Sequence, residues 1–406
     1  MALLVCVAAC VVISCGGTER RNVDLQEALK HYRENDLEQA LPLLEAACEK
    51  DQNNADAHAW CAETYRRLGS TEKARSAARR AIAIDNCHSF AHIVLAEAFN
   101  PLHQKADDVH SDSTWNHLLR AVDCDSTDGN GWLSIWTEAI RRGQYEIERK
   151  ALRKMVATNM LTPTLLSYNR WMLRNLPENA IIVTNGDMDT YPAVAIQEAE
   201  GFRNDVAVVN FSLLNTPWYA RFVSERYRVP LPFEETELNL LKPYMDEDGN
   251  QVLVAMQILQ GWLEARKSGA FSRPITISVT AHENVISPMR SHLALEGAFW
   301  SWNPEPVESA IDTAMLRSSL RDVRPEEFRG SFVSSQDRSP VRGKYSNGIV
   351  RNVTSVALRY AEALIESGHT AEAIAILDWA EEFEKNTILG SVFGDEIQKL
   401  REAVRN

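Results

Sequence analysis

Polar and aromatic side chains follow three apolar stretches in the middle of the chain, and their types suit ligand binding. Carboxylate and amide oxygens hydrogen-bond polyols and are ligands for a hard cation such as Ca²⁺. A neighbouring Trp and Tyr offer an apolar stacking face to a sugar ring. The candidate ligand-binding residues are, in chain order, Asn185, Asp187, Asp189, Ser212, Asn215, Trp218, Tyr219, Glu283 and Asn284.

A sheet is needed to bring these residues together. Apolar, β-rich stretches predict strands at 180–185, 205–211, 275–280 and 295–302. Helices predicted over 191–201, 217–227 and 253–267 separate them, which fits right-handed βαβ crossovers between parallel strands. Parallel strands end at one edge, where open α/β sheets bind their ligands. We therefore predict an open, mostly parallel, Rossmann-like sheet in an α/β domain over 158–352, with a crevice for a polar ligand.

Each chemical interpretation has a simpler alternative. Asp187 and Asp189 form a D-x-D, the pattern that binds metal and nucleotide sugar in soluble glycosyltransferases, but a bare D-x-D is common. Capping of the following helix is favoured for Asp189, because a carboxylate there meets free N–H groups. Glu283 with Asp187 suits the acid–base pair of glycan hydrolysis, although a solvated loop glutamate is more common. No catalytic residue is assigned; an enzyme on glycans would use Asp187, Asp189 and Glu283.

A 34-residue repeat occupies the first third of the chain. Alanines recur at that spacing in three sets: Ala28, Ala62 and Ala96; Ala40 and Ala74; Ala47 and Ala81. Such small residues let the two helices of a hairpin approach closely, and stacked hairpins bury a shared core. Tyr65 and Gly69 also match, so residues 21–157 resemble tetratricopeptide repeats, as does the stretch 354–385.

The tetratricopeptide resemblance implies a concave surface formed by the first helix of each pair. That surface is either a groove for a peptide or partner protein, or only a packing face against the α/β domain; the two weigh equally. The partner-binding candidates on it are Tyr32, Arg33, Glu63, Arg66, Arg67, Phe90 and Glu97.

The central region carries a second resemblance. Its motifs are TNGDMDTYP, AEGFRNDVAVVN, SLLNTPWY, RPITISVT and LALEGAF, followed by ALRYAEALIESG. Together they resemble, in the same order, the soluble C-terminal region of large bacterial envelope proteins whose multi-span half is similar to protein O-mannosyltransferases. In that class the catalytic aspartate belongs to the multi-span half. The resemblance therefore implies a soluble α/β domain that works beside envelope glycan or polymer chemistry, and it does not transfer glycosyl transfer to this chain.

The N-terminal stretch predicts the compartment. Residues 1–14 are uncharged and apolar, too short to span a bilayer but suited to a signal peptide. The residues before Cys15 resemble the lipobox of bacterial lipoproteins, although no Lys or Arg stands near Met1. Cys15 is therefore the predicted lipidation site, and the localisation predicted is the bacterial cell envelope, extracytoplasmic and lipid-anchored. In an oxidising compartment the four later cysteines can form disulfides, but the sequence does not pair them: Cys48, Cys61, Cys87 and Cys124.

Composition and charge argue against one class of partner, nucleic acid. The net charge is −13 and no Lys/Arg-rich block occurs, so nucleic acid is not an expected partner. Apart from the Ca²⁺ option at the strand ends, no cofactor is predicted, and no metal site is assigned. The predicted organisation is signal peptide 1–14, anchor and linker 15–22, helical repeats 23–157, α/β domain 158–352 and a C-terminal helical hairpin with closing helix 353–406. We predict an envelope binding and scaffold module, against two alternatives: a carbohydrate-active enzyme or a purely structural adaptor.

Overall fold

A computed structural model describes residues 16–100, 111–247, 249–387 and 390–405. The predicted signal peptide 1–14 and Cys15 lie outside the described residues. The chain divides into two compact units: unit 1 comprises residues up to Ser126 together with Arg338–Pro340, and unit 2 comprises Thr127–Asp337 and Val341 onward. Within the described residues, no helix is long and apolar enough to cross a membrane.

Unit 1 consists of helix pairs in which each helix packs on the next. Its helices are α1 (Gly16–Arg33), α2 (Leu37–Lys50), α3 (Ala55–Arg67), α4 (Thr71–Ile84), α5 (Ser89–Glu97) and α6 (Ser111–Cys124). Helix α1 begins at Gly16, inside the segment 15–22 that we predicted as linker, because no proline or further glycine interrupts the chain from Thr18 to Arg33.

The periodic alanines lie where the helices of unit 1 meet. Ala28, Ala40, Ala62, Ala74, Ala81 and Ala96 are all fully buried. The turn glycine predicted at Gly69 has a φ of +75°, a left-handed conformation that glycine adopts without strain. Asn54 caps α3, its side chain accepting the backbone N–H of Ala57 at 3.0 Å. These features confirm the tetratricopeptide-type repeats.

The structure joins two of the four described cysteines of unit 1 in a disulfide. Cys87, before α5, forms a disulfide with Cys124 at the end of α6. Cys48 and Cys61 are free thiols whose sulfur atoms lie 3.4 Å apart. The disulfide therefore fixes the loop before the third hairpin to that hairpin's second helix.

Unit 2 begins with three helices, α7 (Gly129–Arg141), α8 (Tyr145–Ala157) and α9 (Pro163–Asn175). A side chain at Gly129 would place its Cβ 2.4 Å from the Cβ of Met160, so only glycine allows this approach. Helices α8 and α9 both pack on the helix that follows the first strand. The last part of the predicted repeat region, helices α7 and α8, therefore belongs to the unit that contains the sheet.

The sheet of unit 2 is small and mixed. Its strands are β1 (Ile181–Thr184), β2 (Ala207–Asn210), β5 (Ile275–Ser278), β6 (Leu293–Leu295) and β7 (Phe299–Trp302), in the order β2-β1-β5-β7-β6. Strands β2, β1 and β5 are parallel, whereas β7 is antiparallel to both β5 and β6. A mostly parallel Rossmann-like sheet is therefore only partly present.

The single strand predicted at 295–302 was wrong, because this segment folds back on itself. Gly297, with a φ of +157°, allows the reversal between β6 and β7. The backbone N–H of Glu296 donates to the carbonyl of Phe299 at 3.1 Å and closes the turn. The residues that read as one apolar run are therefore the two arms of a hairpin.

The helix after β1 was also misplaced. Helix α10 spans Asp187–Glu200 rather than beginning at Tyr191, so both aspartates lie in its first turn. Pro192 lacks an N–H and leaves the carbonyl of Met188 without its helical donor. The side-chain amide of Asn169 donates to that carbonyl at 3.0 Å. A residue of α9 thus supplies the bond that the proline removes.

The remaining elements surround the sheet and end the chain. They are α11 (Pro217–Tyr227), α12 (Glu235–Leu238), the hairpin β3 (Tyr244–Met245) and β4 (Gln251–Val252), α13 (Val254–Lys267), α14 (Glu283–Ile286), α15 (Thr313–Arg321), α16 (Pro340–Glu366), α17 (Thr370–Asn386) and α18 (Gly394–Arg405). Helix α16 runs without interruption through position 352, where the sequence analysis placed a domain boundary.

Candidate functional site

The three parallel strands end side by side. β1 lies between β2 and β5, with Thr184 opposite Asn210. The hydroxyl of Ser212, after β2, donates to the carbonyl of Asn185, after β1, at 3.3 Å. The hydroxyl of Thr280, after β5, donates to the carboxylate of Asp189. The strand ends whose proximity we predicted therefore do lie together.

Asp189 is used inside the protein. Its side chain is buried, and its two oxygens accept the backbone N–H groups of Asn185 at 2.8 Å and of Gly186 at 2.9 Å. Burial raises the pKa of this carboxyl, an effect that the hydrogen bonds from Thr280 and the two N–H groups oppose. Asp189 thus closes the turn between β1 and α10 and joins it to the end of β5. Asp189 therefore caps the helix, as the sequence favoured, but from inside its first turn rather than ahead of a helix that begins at Tyr191. Its carboxylate faces protein donors.

Tyr219 and Asn215 bind neighbouring elements. Tyr219 is 1% exposed and its hydroxyl accepts the backbone N–H of Asn210 at 3.0 Å, so it presents no stacking face to a sugar. The side-chain oxygen of Asn215 accepts the N–H of Ala255 at 3.0 Å, in the first turn of α13. Both side chains hold elements together. Trp218 is half-buried and packs edge-on against Tyr219 with ring centres 5.8 Å apart.

Asp187 and Glu283 each pair with an arginine. Arg342 places one nitrogen 3.1 Å from Asp187 and another 3.0 Å from Asp337. Glu283 forms an exposed ion pair with Arg290. The side chain of Asp187 remains half-exposed, so a ligand can reach it, as it can reach the exposed Glu283. Arg342 was missed by sequence reasoning, because no local pattern connects it to Asp187.

The remaining predicted residues of this edge are open to solvent. Ser212 and Asn284 are exposed, and the backbone N–H of Asn284 donates to the ring nitrogen of His282 at 3.2 Å. Among the described residues, no group of three or more His, Cys, Asp or Glu side chains could hold a metal ion. Since Asp187 and Asp189 face different partners, they do not form the shared oxygen cage that Ca²⁺ requires.

Two arginines hold the opposite edge of the sheet, and they account for part of the central motifs without any ligand. Arg203 donates to both oxygens of Asp205 at 2.9 Å and to the carbonyls of Leu173 at 2.7 Å and Pro177 at 2.9 Å. Arg203 lowers the pKa of Asp205 to about 2. Arg273 donates to the carbonyl of Asp205 at 2.9 Å. AEGFRND and RPITIS thus contain structural arginines.

Unit 1 carries an aromatic ladder on the first helices of its three pairs. The ring centres of Tyr32 in α1 and Trp60 in α3 lie 5.0 Å apart, and those of Trp60 and Phe90 in α5 lie 4.6 Å apart. Trp60 was not among the predicted partner-binding residues, although it is the ladder's middle member. Its position on the same helix as Glu63 was the available signal.

A buried ion pair borders the aromatic ladder. Glu63 is 6% exposed and binds Arg66 through both oxygens, at 2.7 and 2.8 Å. The hydroxyl of Tyr32 lies 3.2 Å from Glu63, and burial together with that charge raises the pKa of Tyr32. Glu97 accepts the side-chain amide of Asn100 at 3.2 Å. Tyr32, Glu63, Arg66 and Phe90 are therefore fixed by neighbours of unit 1.

Residues Arg338–Pro340 complete unit 1. The hydroxyl of Tyr32 donates to the backbone carbonyl of Arg338 at 3.0 Å. The guanidinium of Arg338 lies over the ring of Phe90, 4.2 Å from its centre. The first and last members of the aromatic ladder thus both contact one arginine. Of the other predicted partner-binding residues, Arg33 is exposed and Arg67 is half-buried.

Comparison with known proteins agrees with the repeats. A tetratricopeptide repeat family model matches residues 31–89, and a model described as TMEM260-associated domain 2 matches residues 166–239. No curated protein matches the chain. The repeat match indicates a protein-interaction module, since stacked repeats of this kind bind other proteins on their concave surface.

Solved structures resemble the chain only distantly. A thermophilic TPR protein of Thermus thermophilus is 16% identical with a TM-score of 0.34, covering 54% of this chain and 95% of that one. PilW, a widely conserved type IV pilus biogenesis factor, is 15% identical with a TM-score of 0.32, covering 63% and 96%. At such scores the likeness carries no inference about function.

Proposed function

We propose that this chain is an adaptor of the bacterial cell envelope whose helical repeats bind an extended segment of a partner protein. The observation that carries this proposal is the ladder of Tyr32, Trp60 and Phe90, whose first and last members are buried and both contact Arg338 of an extended segment. Aromatic rings supply large contact areas with little loss of side-chain freedom. Such a surface, on the first helices of successive repeats, is what a peptide-binding face needs.

The α/β domain acts in this proposal as a platform next to envelope glycan or polymer assembly, not as a hydrolase. The similarity of its motifs to those of envelope proteins supports the association. The bonds of its strand-end residues support the absence of hydrolysis, because Asp189 is buried and Glu283 pairs with Arg290. A polar ligand such as a glycan would meet Asn185, Asp187 and Ser212, which are exposed at that edge.

Photo-crosslinking tests the interaction face. A photoreactive amino acid at Arg33 or Arg67, both predicted to border the face, should give discrete adducts with an envelope protein in living cells. The matched positions are Glu49 in α2 and Arg80 in α4, which are exposed on the second helices of their pairs. Adducts of equal yield from those two positions, or none from Arg33 and Arg67, would contradict the proposed function.

Lipid anchoring is the second part of the proposal. The uncharged apolar run before Cys15 supports it, and so does the Cys87–Cys124 disulfide, since structural disulfides persist in oxidising compartments outside the cytoplasm. We expect Cys15→Ser to abolish palmitate labelling and to release the chain from the membrane fraction. Cys6→Ser, inside the predicted signal peptide, is the control and should label normally. Equal labelling of Cys15→Ser and the unmodified chain would reject the anchor.

A further inference from the structure

We infer that the aromatic face of the repeats is a receptor for an extended, arginine-bearing protein segment, and that Arg338–Pro340 occupy it as an internal ligand. This inference rests on the proposed function, because it assigns the chemistry of the partner that the same face would bind. The contacts that carry it are one hydrogen bond from Tyr32 to a backbone carbonyl and one guanidinium over Phe90.

The two contacts recognise different parts of the bound segment: Phe90 contacts a side chain, and Tyr32 bonds the main chain. Phe90 takes a flat cation through its ring face, and arginine suits that geometry better than lysine because its guanidinium is planar. Tyr32 binds a main-chain oxygen, which every residue carries, and so it fixes the path of the segment rather than its sequence. The face therefore selects one arginine and a strand-like backbone.

The surroundings of the face agree with a cationic ligand. Asp56, at the start of α3, has a lowered pKa, first because it accepts a hydrogen bond from His88 and further because of the charge of Arg338. The hydroxyl proton of Tyr32 has two acceptors, Glu63 at 3.2 Å and the Arg338 carbonyl at 3.0 Å. When the segment leaves, that proton can serve Glu63 alone, so the receptor loses no buried hydrogen bond on release.

The sequence of the internal segment favours the extended conformation that the face binds. Pro340 follows directly after Arg338 and Ser339, and a proline disfavours the helical conformation of the residue before it. Ser339 is therefore biased towards extended geometry, which lowers the entropy lost on binding. Because the segment belongs to the same chain, it competes for the face as an intramolecular ligand, and short linkers give such ligands effective concentrations on the order of millimolar. An external partner must displace it, and must therefore offer an arginine in the same setting.

The test measures whether removal of the internal arginine opens the face. The probe is a fluorescein-labelled peptide of residues 334–343, SSQDRSPVRG, titrated by anisotropy against the full chain in detergent. We expect the Arg338→Ala chain to bind it about tenfold more tightly than the unmodified chain, the ratio that a cation–π contact of this kind supports. Arg329→Ala, an exposed arginine nearby in sequence, should leave the affinity unchanged.

Two further measurements distinguish loss of the arginine–ring contact from unfolding of the Arg338→Ala variant. Adding Phe90→Leu to Arg338→Ala keeps an apolar side chain at that position and should remove the gain. A peptide with alanine in place of its central arginine should not bind the Arg338→Ala chain. Equal affinity of the unmodified and Arg338→Ala chains, or equal binding of the two peptides, would overturn the inference. If crosslinks from Arg33 and Arg67 persist in that case, the proposed function stands while the internal ligand is rejected.

Discussion

Asp189→Asn should lower the free energy of unfolding of this protein by about 3 kcal/mol, the upper end of the cost of leaving a buried hydrogen-bonding group without its partner. The carboxylate accepts N–H groups on both oxygens, from Asn185 and from Gly186. An amide of the same shape must turn its NH₂ towards one of these donors, so one bond is replaced by a repulsive contact. Urea denaturation followed by tryptophan fluorescence measures the change.

Asp187→Asn is the matched control, two residues away in the same helical turn. Its side chain is half-exposed and pairs with Arg342 at 3.1 Å. Because Arg342 keeps its pairing with Asp337 in the variant, we expect a change within about 1 kcal/mol. Similar losses for the two variants would show that Asp189 has no special structural role. A loss for Asp187→Asn that appears only with an added glycan or polymer fragment would instead identify Asp187 as a ligand contact.

The pH dependence gives an independent signature of Asp189. Burial raises its pKa in the folded protein, so the folded state holds this proton more tightly than the unfolded chain. The stability contributed is fully present below the unfolded pKa of about 3.9 and is lost as the pH rises through the folded pKa. The difference in stability between the unmodified protein and Asp189→Asn should therefore be larger at acid pH and shrink as the pH rises.

The three parallel strands of the sheet could be predicted, because each is marked by a short apolar run in its own sequence. The apolar runs around Ile181, Val208 and Ile277 are buried on both faces, as parallel strands are, and they placed three strand ends at one edge. The capping role of Asp189 also follows from short-range sequence, because its two backbone donors lie within four residues, whereas its third donor, Thr280, is distant in sequence. These features are encoded where they occur.

Features that depend on distant partners could not be predicted. The helix was predicted to begin at Tyr191, but it begins at Asp187, and the carbonyl that Pro192 leaves without a helical donor is bonded by the amide of Asn169 in another helix. Arg342 reaches Asp187 across 155 positions of sequence. The ladder of the repeats was half-visible: Tyr32 and Phe90 followed from the repeat register, but the arginine of residue 338 that joins them belongs to a segment with no repeat pattern at all.

Removal of the Cys87–Cys124 disulfide should have an effect as large as that of Asp189→Asn, but in unit 1. The two cysteines are 37 positions apart, and closing a loop of that length lowers the entropy of the unfolded chain by an amount worth about 3–4 kcal/mol. We expect the double variant Cys87→Ser/Cys124→Ser to lose that stability. The measurement is the free energy of unfolding of unit 1 in urea.

The free thiols provide the control for the disulfide prediction. Cys48→Ala removes a half-buried thiol that forms no bridge in the structure, so its cost should stay near about 1 kcal/mol. Dithiothreitol should lower the stability of the unmodified protein by the same amount as the two substitutions do. It should leave the stability of the double variant unchanged. A protein whose stability is insensitive to reductant would show that the bridge does not form, and the support it gives to an extracytoplasmic location would then be lost.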